Sequence, residues 1–347
     1  DKAISLNFDA GQDYVTARLQ CLTRYRAGCF SLLKLALHEP RFDAEAIARM
    51  KAEQNAALRR AQQSAGGIAS EAFQKLAYPT HAYGRSKNGT PESLAAMTRA
   101  DIIARHRAVY ARDNLKLAIV GDMNRAEARR FMRDMFARLP AKTAVPPHDD
   151  IAAISGPATR HIDRAGPQTT VLFGHQGIGY EHELFFPAFV MNSILGGSGF
   201  SSRLTEQVRE ARGLAYSVYS YWRIGRHSAT WRGSVATDNS ATQEALDVIR
   251  AEMNRIAEEG VSDTRLDAAK TYLTGAYALR FDSGKKIAGQ LIGLQEMGRP
   301  LSYLHERNRA IEAVTQEDIK RAANLLMADK LLVVSVGKTA VTLAPLK

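Results

Sequence analysis

The spacing of apolar residues predicts a helix within residues 195–222, LGGSGFSSRLTEQVREARGLAYSVYSYW. Leu204 and Val208 are four positions apart, which places both side chains on one face of a helix. Ser201 or Ser202 precedes this pair, and serine is favoured at a helix start because its hydroxyl oxygen accepts a backbone N–H. We therefore predict a capped, amphipathic helix here.

Glycines bound this helix on both sides. Gly196, Gly197 and Gly199 precede it and allow backbone conformations that other residues avoid. Gly213 stands where the helix would end, and residues 214–221 then form an apolar and aromatic run typical of a strand. The segment is thus predicted to be a glycine turn, a helix and a strand. By spacing alone, that is an ordinary connection in a layered α/β structure.

Two short patterns recur at nearly the same separation along the chain. Residues 97–102, MTRADI, are matched 217 positions later by residues 314–319, VTQEDI. Residues 117–121, LAIVG, are matched 216 positions later by residues 333–337, VVSVG, and both runs are apolar enough to be strands. Two matches at nearly one separation indicate an internal duplication.

The duplication extends toward the start of both halves. Residues 42–60 parallel residues 261–280, and residues 25–37 parallel residues 239–251. We therefore predict an α+β fold made of two homologous α/β units. Each unit is expected to contain a mixed, largely antiparallel sheet covered by helices.

A turn-rich stretch separates the halves. Residues 141–158 contain Pro146-Pro147 and have the composition of a domain boundary. We therefore predict a first domain at residues 1–140, a linker at 141–158 and a second domain at residues 159–347.

The two halves differ at their beginnings. Residues 3–8 pair best with residues 214–221, and nothing in the first half matches residues 160–212. The first unit is therefore expected to be incomplete at its N-terminal side by roughly 50 residues, which hold one strand and two helices in the second copy. Such a gap exposes one edge and one face of a sheet, so we expect a longer natural chain or another covering element.

Charge and composition narrow the possible functions. The 347 residues carry a formal net charge of +11, but the basic residues are scattered, with isolated pairs and no run of five, which favours a solvated basic surface over nucleic-acid binding. No apolar run approaches the about 20 residues that span a bilayer. Cys21 and Cys29 are the only cysteines and form no C-x-x-C pair, so neither a disulfide framework nor a cysteine zinc site is indicated.

The sequence has none of the common self-contained catalytic motifs. Its nine histidines form no His-Glu-x-x-His or His-x-x-Glu-His motif, and neither G-x-S-x-G nor a Walker A sequence is present. His175 and His182 belong to the densest local group of possible metal ligands, but the glycines between them favour a polar loop over a zinc site. These motifs alone assign no chemistry.

Several separated motifs nevertheless resemble the pitrilysin-type metallopeptidases, the family of insulinase and the mitochondrial processing peptidase. They are the run ILGGSGFSSRL followed by R-x-x-x-GLAYSV, Pro40-Arg41-Phe42 entering a long helix, His81-Ala82-Tyr83-Gly84, Asn114-Leu115-Lys116-Leu117 leading into Val120-Gly121-Asp122, and the duplication itself. Together they cover almost all of the chain in one order.

The resemblance implies where zinc ligands would lie. In that family, the first domain binds zinc through His-x-x-Glu-His and a glutamate on a later helix. The histidine motif would fall in the part that the first half does not match. The glutamate falls at Ala57, which has no ligand atom, and Glu53, one helical turn earlier, replaces it only under a shifted alignment. The resemblance therefore implies no metal ligands and no cofactor in this chain, with zinc in a partner subunit.

The family's second domain contributes an arginine and a tyrosine to the opposite active site. They match Arg209 and Tyr216, which are suited to bind a substrate carbonyl or the developing oxyanion. Without the family, a surface arginine beside a core tyrosine would be the favoured interpretation. Gly196, Gly197 and Gly199 are candidates for peptide contact, although a backbone turn accounts for them equally well.

The resemblance thus leads to one main hypothesis and two alternatives. The main one is a non-catalytic subunit that binds peptide and supplies Arg209 and Tyr216 to the zinc site of a homologous zinc-bearing subunit, or of a second copy. The alternatives are an active zinc endopeptidase whose His-x-x-Glu-His lies upstream, and a non-enzymatic scaffold like the core subunits of respiratory complexes. Bacterial relatives of this size are often exported, so we expect a periplasmic location, and otherwise a cytoplasmic one.

Overall fold

A computed structural model describes residues 3–154, 156–197, 201–326 and 328–344. Its strands, in chain order, are β1 (Ser5–Ala10), β2 (Val15–Gln20), β3 (Ala158–Asp163), β4 (Gln168–Gln176), β5 (Ala215–Ile224), β6 (Ala229–Asp238) and β7 (Leu332–Gly337). Its α-helices are α1 (Arg26–His38), α2 (Ala44–Gln63), α3 (Ala65–Ala77), α4 (Pro91–Ala96), α5 (Arg99–Val109), α6 (Arg125–Phe136), α7 (Phe185–Asn192), α8 (Thr242–Glu259), α9 (Asp263–Gly275), α10 (Gly284–Glu296), α11 (Tyr303–Glu312) and α12 (Gln316–Ala323).

The chain forms two compact units that interleave along the sequence. Unit 1 consists of Asp1–Ala57, Lys87–His148 and Tyr277–Tyr303, and unit 2 consists of Leu58–Ser86, Asp149–Ala276 and Leu304–Lys347. A short segment of each sequence half therefore belongs to the unit built mainly from the other half. The division into domains at 1–140 and 159–347 follows the repeat in the sequence and stays a prediction.

Unit 2 contains a five-stranded mixed sheet in the order β3-β7-β4-β6-β5. Strands β3 and β7 are parallel, and all other neighbours are antiparallel. This confirms the predicted fold class, and β5 and β7 form where apolar runs predicted strands. Helices α7 and α8 cover one face, and α12 packs on both of them. Val171 and Phe173 belong to the core on this face, whereas Leu172 belongs to the core on the other face, as the alternation of a strand requires.

Helix α3 covers the second face of this sheet over β4 and β7. Its Phe73 is fully buried, and the guanidinium of Arg232 on β6 lies 4.7 Å from the centroid of the Phe73 ring. Arg232 also donates hydrogen bonds to Oε1 of Gln74 at 3.0 Å and to Oγ1 of Thr230 at 2.8 Å. Burial lowers the pKa of Arg232 to about 10, so the side chain stays charged at neutral pH.

Unit 1 contains a two-stranded antiparallel ribbon of β1 and β2. Leu6 and Leu19 pack against a core that α1 and α6 provide, with Leu33, Leu37, Met135, Phe136 and Leu139 buried. Residues 117–121, predicted as a strand from their match to β7, are not one; that prediction is wrong. A strand needs a hydrogen-bonded neighbour, and β7 lies between β3 and β4, whereas no strand in the described residues pairs with 117–121.

The two cysteines correct a second expectation. Cys21, just after β2, and Cys29, buried in α1, form a disulfide, although the sequence indicated no disulfide framework. The Cα atoms lie 6.6 Å apart, within the range that a disulfide can bridge. The absence of a C-x-x-C motif was therefore an insufficient test, because a bridge depends on distance in space.

Candidate substrate-contacting site at Arg209 and Tyr216

The predicted helix before Gly213 exists, and its C-terminal part, Thr205–Glu210, is π-helical. Leu204 and Val208 are fully buried on its inner face, as their spacing predicted. Oγ of Ser202 accepts a hydrogen bond from the backbone N–H of Thr205 at 3.3 Å, which supplies the predicted serine cap. A π-turn is wider than an α-turn and is often found at functional sites.

The end of this helix turns the chain sharply into β5. The backbone N–H of Ala211 donates to the carbonyl of Glu206 at 2.8 Å, and that of Leu214 donates to the carbonyl of Val208 at 2.8 Å. Gly213 has a φ of +62°, in the left-handed region that glycine enters without strain. This is the helix stop that the sequence predicted at Gly213.

Tyr216 lies in a β-bulge at the start of β5. The pairing with β6 skips it, because Ala215 pairs with Thr237 and Ser217 pairs with Ala236. The extra residue of a bulge is unpaired and can aim its side chain away from the sheet. Tyr216 is 82% exposed, so the expectation that tyrosine here belongs to a core does not hold.

The structure brings Arg209 and Tyr216 together. The guanidinium carbon Cζ of Arg209 lies 5.0 Å from the centroid of the Tyr216 ring, within cation–π distance. A guanidinium carries five N–H donors and a phenol one O–H donor, so the half-buried Arg209 and the exposed Tyr216 bring donor groups close together. Such donors can bind a carbonyl oxygen or stabilise an oxyanion. Their contact with a substrate stays a prediction.

Two ion pairs from α8 and α9 fix the helix that carries Arg209. Arg203 lies 2.7 Å from the carboxylate of Glu252, whose side chain is only 3% exposed, and Arg265 pairs with Glu206. The hydrogen bond from Arg265 lowers the pKa of Glu206 below its ordinary value. Sequence reasoning missed these residues because ion-pair partners 49 and 59 positions apart leave no local pattern.

Two of the three glycines predicted to form a turn before the helix, Gly196 and Gly197, are instead helical. Residues Ser193–Gly197 form a second π-helical turn, and Gly199 lies outside the described residues. Gly196 is buried, and a Cβ atom there would lie 2.7 Å from the backbone nitrogen of Ser220 on β5. Close approach therefore explains Gly196; Gly197 is exposed, but a Cβ atom there would also lie 3.0 Å from the carbonyl oxygen of Asn192. Their predicted contact with peptide stays a prediction.

A buried hydrogen-bond network attaches the end of α7 to β5 and β6. The side-chain oxygen of Asn192 accepts from Oγ of Ser220 at 2.8 Å and from Nε1 of Trp231 at 2.7 Å. The side-chain nitrogen of Asn192 donates to the carbonyl of Ser220 at 3.2 Å. Because this amide makes three hydrogen bonds, its burial is compensated, and it fixes α7 relative to the strand that carries Tyr216.

The described residues do not fit a zinc ion. Ala57, in α2, has no ligand atom, and Glu53 forms an ion pair with Arg49 at 3.2 Å. His175 is buried against the ring of Trp231, and burial lowers its pKa, while Nδ1 of His182 accepts from the backbone of Leu184. In the parts of the chain that the structure describes, no three His, Cys, Asp or Glu side chains could hold a metal ion together.

Comparison with known proteins identifies the family. Residues 96–273 match the sequence model of the peptidase M16 inactive domain. The chain belongs to the peptidase M16 family. This match covers half of the chain and confirms the resemblance to pitrilysin-type metallopeptidases that the sequence motifs indicated. The match also contains the candidate site residues.

Relatives in this family differ in the activity that their names state. The chain is 29% identical over 260 residues to an uncharacterised zinc protease of Mycobacterium leprae, covering 74% of this chain and 58% of that protein. It is 24% identical over 320 residues to the non-peptidase homologue YmxG of Helicobacter pylori, covering 92% of this chain and 73% of that protein. The match to the M. leprae protein thus spans less than two thirds of its length.

The fold also matches a solved structure of the family. A crystal structure of a peptidase M16 inactive domain from Pseudomonas fluorescens superimposes with a TM-score of 0.90 and 29% sequence identity. The match covers 99% of this chain and 82% of that one. In the described residues, no helix is long and apolar enough to cross a membrane.

Proposed function

We propose that this M16-family chain is a non-catalytic subunit. It binds peptide and presents Arg209 and Tyr216 to a zinc site on a homologous partner chain. The observation that carries the proposal is the contact between the half-buried Arg209 and the exposed Tyr216, with the guanidinium 5.0 Å from the ring and the tyrosine held outward by a bulge. At 82% exposure, the side chain of Tyr216 is accessible to a bound peptide.

Two further observations support a role without metal chemistry in this chain. Ala57 stands where the family resemblance places a zinc-binding glutamate, and the described residues offer no other set of metal ligands. One relative is named a non-peptidase homologue, which is consistent with a family member that lacks the chemistry. The donors at Arg209 and Tyr216 need no metal of their own, because they act on oxygen atoms of a peptide.

The experiment combines this chain with a homologue from the same organism that contains His-x-x-Glu-His. Hydrolysis of a fluorogenic peptide library is measured for each chain and for the pair, and zinc is quantified in each. We expect zinc in the homologue alone and hydrolysis that requires both chains. Arg209→Ala and Tyr216→Phe should each lower kcat/KM of the pair by about 10²-fold, the size observed when one oxyanion donor is removed.

Matched controls separate a role at the substrate from a structural one. Arg212→Ala removes a neighbouring exposed arginine that hydrogen-bonds Gln207, and Tyr219→Phe changes another exposed tyrosine on β5. Both should leave the rate unchanged. If the pair keeps its rate with Arg209→Ala and Tyr216→Phe, the scaffold alternative is favoured. Zinc and full peptidase activity in this chain alone would contradict the proposal and favour an active endopeptidase.

Partner and location are part of the same proposal. The partner is a homologous zinc-bearing subunit, and a second copy of this chain is the alternative, which sedimentation of the isolated chain distinguishes. The proposed compartment is the periplasm. Fractionation of cells, with detection of this chain by antibody, tests that location against the cytoplasm.

A further inference from the structure

One face of the β5–β6 pair carries phenolic and basic side chains. In β5, Val218 belongs to the core on the side of α7 and α8, so the alternation of a strand places Tyr219, Tyr221 and Arg223 on the opposite face. On β6, Arg232 lies on this same face and pairs directly with Tyr221 across the two strands. All of these residues belong to unit 2, so this face is built without the elements that the first half lacks.

Arg232 is a buried cation whose hydrogen-bond partners are neutral. It is only 2% exposed, and it donates to Oε1 of Gln74 at 3.0 Å and to Oγ1 of Thr230 at 2.8 Å. Its guanidinium also lies 4.7 Å from the centroid of the Phe73 ring. Among the described residues, no carboxylate forms an ion pair with it. Buried charges are usually paired with an opposite charge, so this face has an excess of positive charge.

A second arginine adds to this excess. Burial lowers the pKa of Arg232 to about 10, and the charge of the neighbouring Arg223 lowers it further in the same direction. The guanidinium of Arg232 is still protonated at neutral pH, so two positive charges act on each other at this place. Like charges in a half-buried site repel, and a bound anion relieves that repulsion.

Tyr221 provides an accessible hydroxyl group beside these charges. Its side chain is 38% exposed, and Cβ atoms of directly opposite strand residues such as Tyr221 and Arg232 are about 5 Å apart. The half-buried Arg223 follows two positions later on the same face. A phenol O–H and a guanidinium are both donors, and a carboxylate accepts from both, with arginine forming the stronger, charge-assisted hydrogen bonds.

We propose that Arg223 and Tyr221 bind a carboxylate group of an extended peptide, while Arg232 adds positive charge from beneath. The carboxylate belongs either to the C-terminus of the peptide or to an acidic side chain. The inference rests on the proposed binding of peptide by this chain, but it requires neither Arg209 nor a zinc-bearing partner. It can therefore be tested on this chain alone.

The position of this site relative to Tyr216 defines the peptides that fit. Tyr221 lies five positions after Tyr216 on β5, a distance of about 15–17 Å at about 3.3 Å per residue. A peptide that runs along β5 and contacts both tyrosines therefore has its carboxylate about five residues from the carbonyl at Tyr216. The substrate class is thus an extended peptide with an acidic side chain or a free C-terminus at about that distance.

The test compares three pools of acetylated peptides that are about 12 residues long, enough to span the ten residues of β5. All pools are randomised over the same neutral residues. The first has an amidated C-terminus, the second has a free C-terminus, and the third is amidated and contains one glutamate. Each pool competes with a labelled neutral pool for the 347-residue chain at physiological salt, and fluorescence anisotropy gives the affinity. At least one carboxylate pool should bind about tenfold more tightly than the neutral one, and which one does so identifies the source of the carboxylate.

Variants of the site locate the preference. Arg223→Gln should abolish the preference for carboxylate and leave the affinity of the neutral pool unchanged. Tyr221→Phe should reduce the preference about threefold, because it removes one neutral donor. Arg232→Met, which keeps a similar volume, should also reduce it. Circular dichroism establishes that each variant is folded, and Arg223→Gln decides the question if Arg232→Met does not fold.

Two matched controls exclude general effects. Arg160→Gln removes an exposed arginine from β3, the opposite edge strand of the same sheet, and Tyr219→Phe removes the hydroxyl of the exposed tyrosine next to Tyr221 on this face. Both should keep the preference. An equal loss with Arg160→Gln would overturn the inference, because the net charge of +11 would then explain the attraction of acidic peptides.

The pools also distinguish this inference from the proposed function. Equal affinity of all three pools would overturn the carboxylate site and leave peptide binding intact. If no pool binds, both the site and the proposed binding of peptide by this chain are wrong.

Discussion

The two copies of the duplicated pattern form sheets of different size. In unit 2, β5 and β6 belong to a five-stranded sheet, and Trp231 and Val235 are at most 1% exposed. In unit 1, β1 and β2 stand as a ribbon. If Ser5 corresponds to Ser217, the strand registers place Val15 in the position of Trp231, and Val15 is 41% exposed. The same order of elements therefore gives a buried sheet only where neighbouring strands are present, because strand formation depends on pairing more than on local propensity.

The two units also show that a repeat in sequence is not a repeat of compact bodies. Helix α3 comes from the first half of the chain and packs on the sheet of unit 2, and α10 comes from the second half and belongs to unit 1. Each helix has an apolar face that must be buried against a sheet or a core. The two helices begin 219 residues apart, at equivalent positions of the repeat, so each half of the sequence gives the same helix to the unit built mainly from the other half.

Removing one partner of an ion pair should destabilise unit 2 far more than unit 1, and this is the largest difference in stability that we expect between the units. Glu252 of unit 2 is 3% exposed and contacts Arg203 and Arg255, so Glu252→Ala leaves a poorly solvated arginine without its partner. We expect a loss of about 3–5 kcal/mol in the free energy of unfolding. Urea denaturation followed by tryptophan fluorescence measures it, because both tryptophans, Trp222 and Trp231, belong to unit 2.

The matched variant in unit 1 is Glu127→Ala. Glu127 pairs with Arg26 at 3.0 Å, and its Oε2 accepts the backbone N–H of Asn124 at 2.9 Å at the start of α6. Both side chains of the ion pair are more than a third solvent-accessible, so water replaces the lost partners. A small change is expected in the hydrogen exchange of α1 and α6. Equal destabilisation by the two variants would contradict the view that unit 2 is the more deeply buried structure. The double variant Arg203→Met, Glu252→Met should recover part of the loss.

The next largest difference in stability is expected at one equivalent position, Gly233 in the sheet of unit 2 and Ala17 in the ribbon of unit 1. Gly233 faces the ring of Phe173, and a Cβ atom there would also lie 2.9 Å from the carbonyl oxygen of Tyr219. Gly233→Ala should therefore cost about 1–3 kcal/mol through overpacking. At the equivalent position the ribbon already contains Ala17, which is exposed, and Ala17→Gly should cost about 0.5–1 kcal/mol through chain entropy alone. Thermal unfolding of Gly233→Ala that matches the unchanged protein would contradict this packing argument.

Much of the candidate site could be predicted from local patterns. The spacing of Leu204 and Val208, the serine cap and the stop at Gly213 each depend on residues within one helical turn, and all three are present. The duplication and the family motifs were also readable from the sequence. The match to the M16 inactive domain then confirmed the family.

The remaining features depend on distant parts of the chain. The bulge that exposes Tyr216 arises from the register of β5 on β6, which no single strand specifies. Residues 117–121 have the composition of β7 but lack its neighbours, so composition predicted a strand that pairing does not form. The sequence also could not predict that α3 belongs to unit 2 and α10 to unit 1, because the amphipathic pattern of a helix does not specify which sheet it covers.

Removing two equivalent helix caps, one in each unit, should give a smaller difference in stability than the changes in the sheets. Thr98 caps α5 and Thr315 caps α12, each with an aspartate three residues later that completes a capping box. Helix α12 buries Ile319 completely, whereas α5 has no buried residue. Thr315→Ala should therefore cost about 1 kcal/mol of global stability, and Thr98→Ala about 0.5 kcal/mol. Chemical denaturation of both variants measures this, and the reverse ranking would contradict the comparison.

A buried histidine in each unit should have the smallest effect on stability at neutral pH, and this effect should increase as the pH falls. Burial lowers the pKa of His175 in unit 2 and of His106 in unit 1 below 6.5, the ordinary value. The unfolded chain therefore binds protons more readily than the folded one, so stability is lost as the pH falls below about 6.5. His175 is 1% exposed and stacks on Trp231, so its neutral form is the more strongly favoured. Measured between pH 7 and pH 5, His175→Phe should flatten the decrease in unfolding free energy more than His106→Phe does. An equal slope in the unchanged protein and His175→Phe would show that this buried imidazole does not make the sheet of unit 2 acid-sensitive.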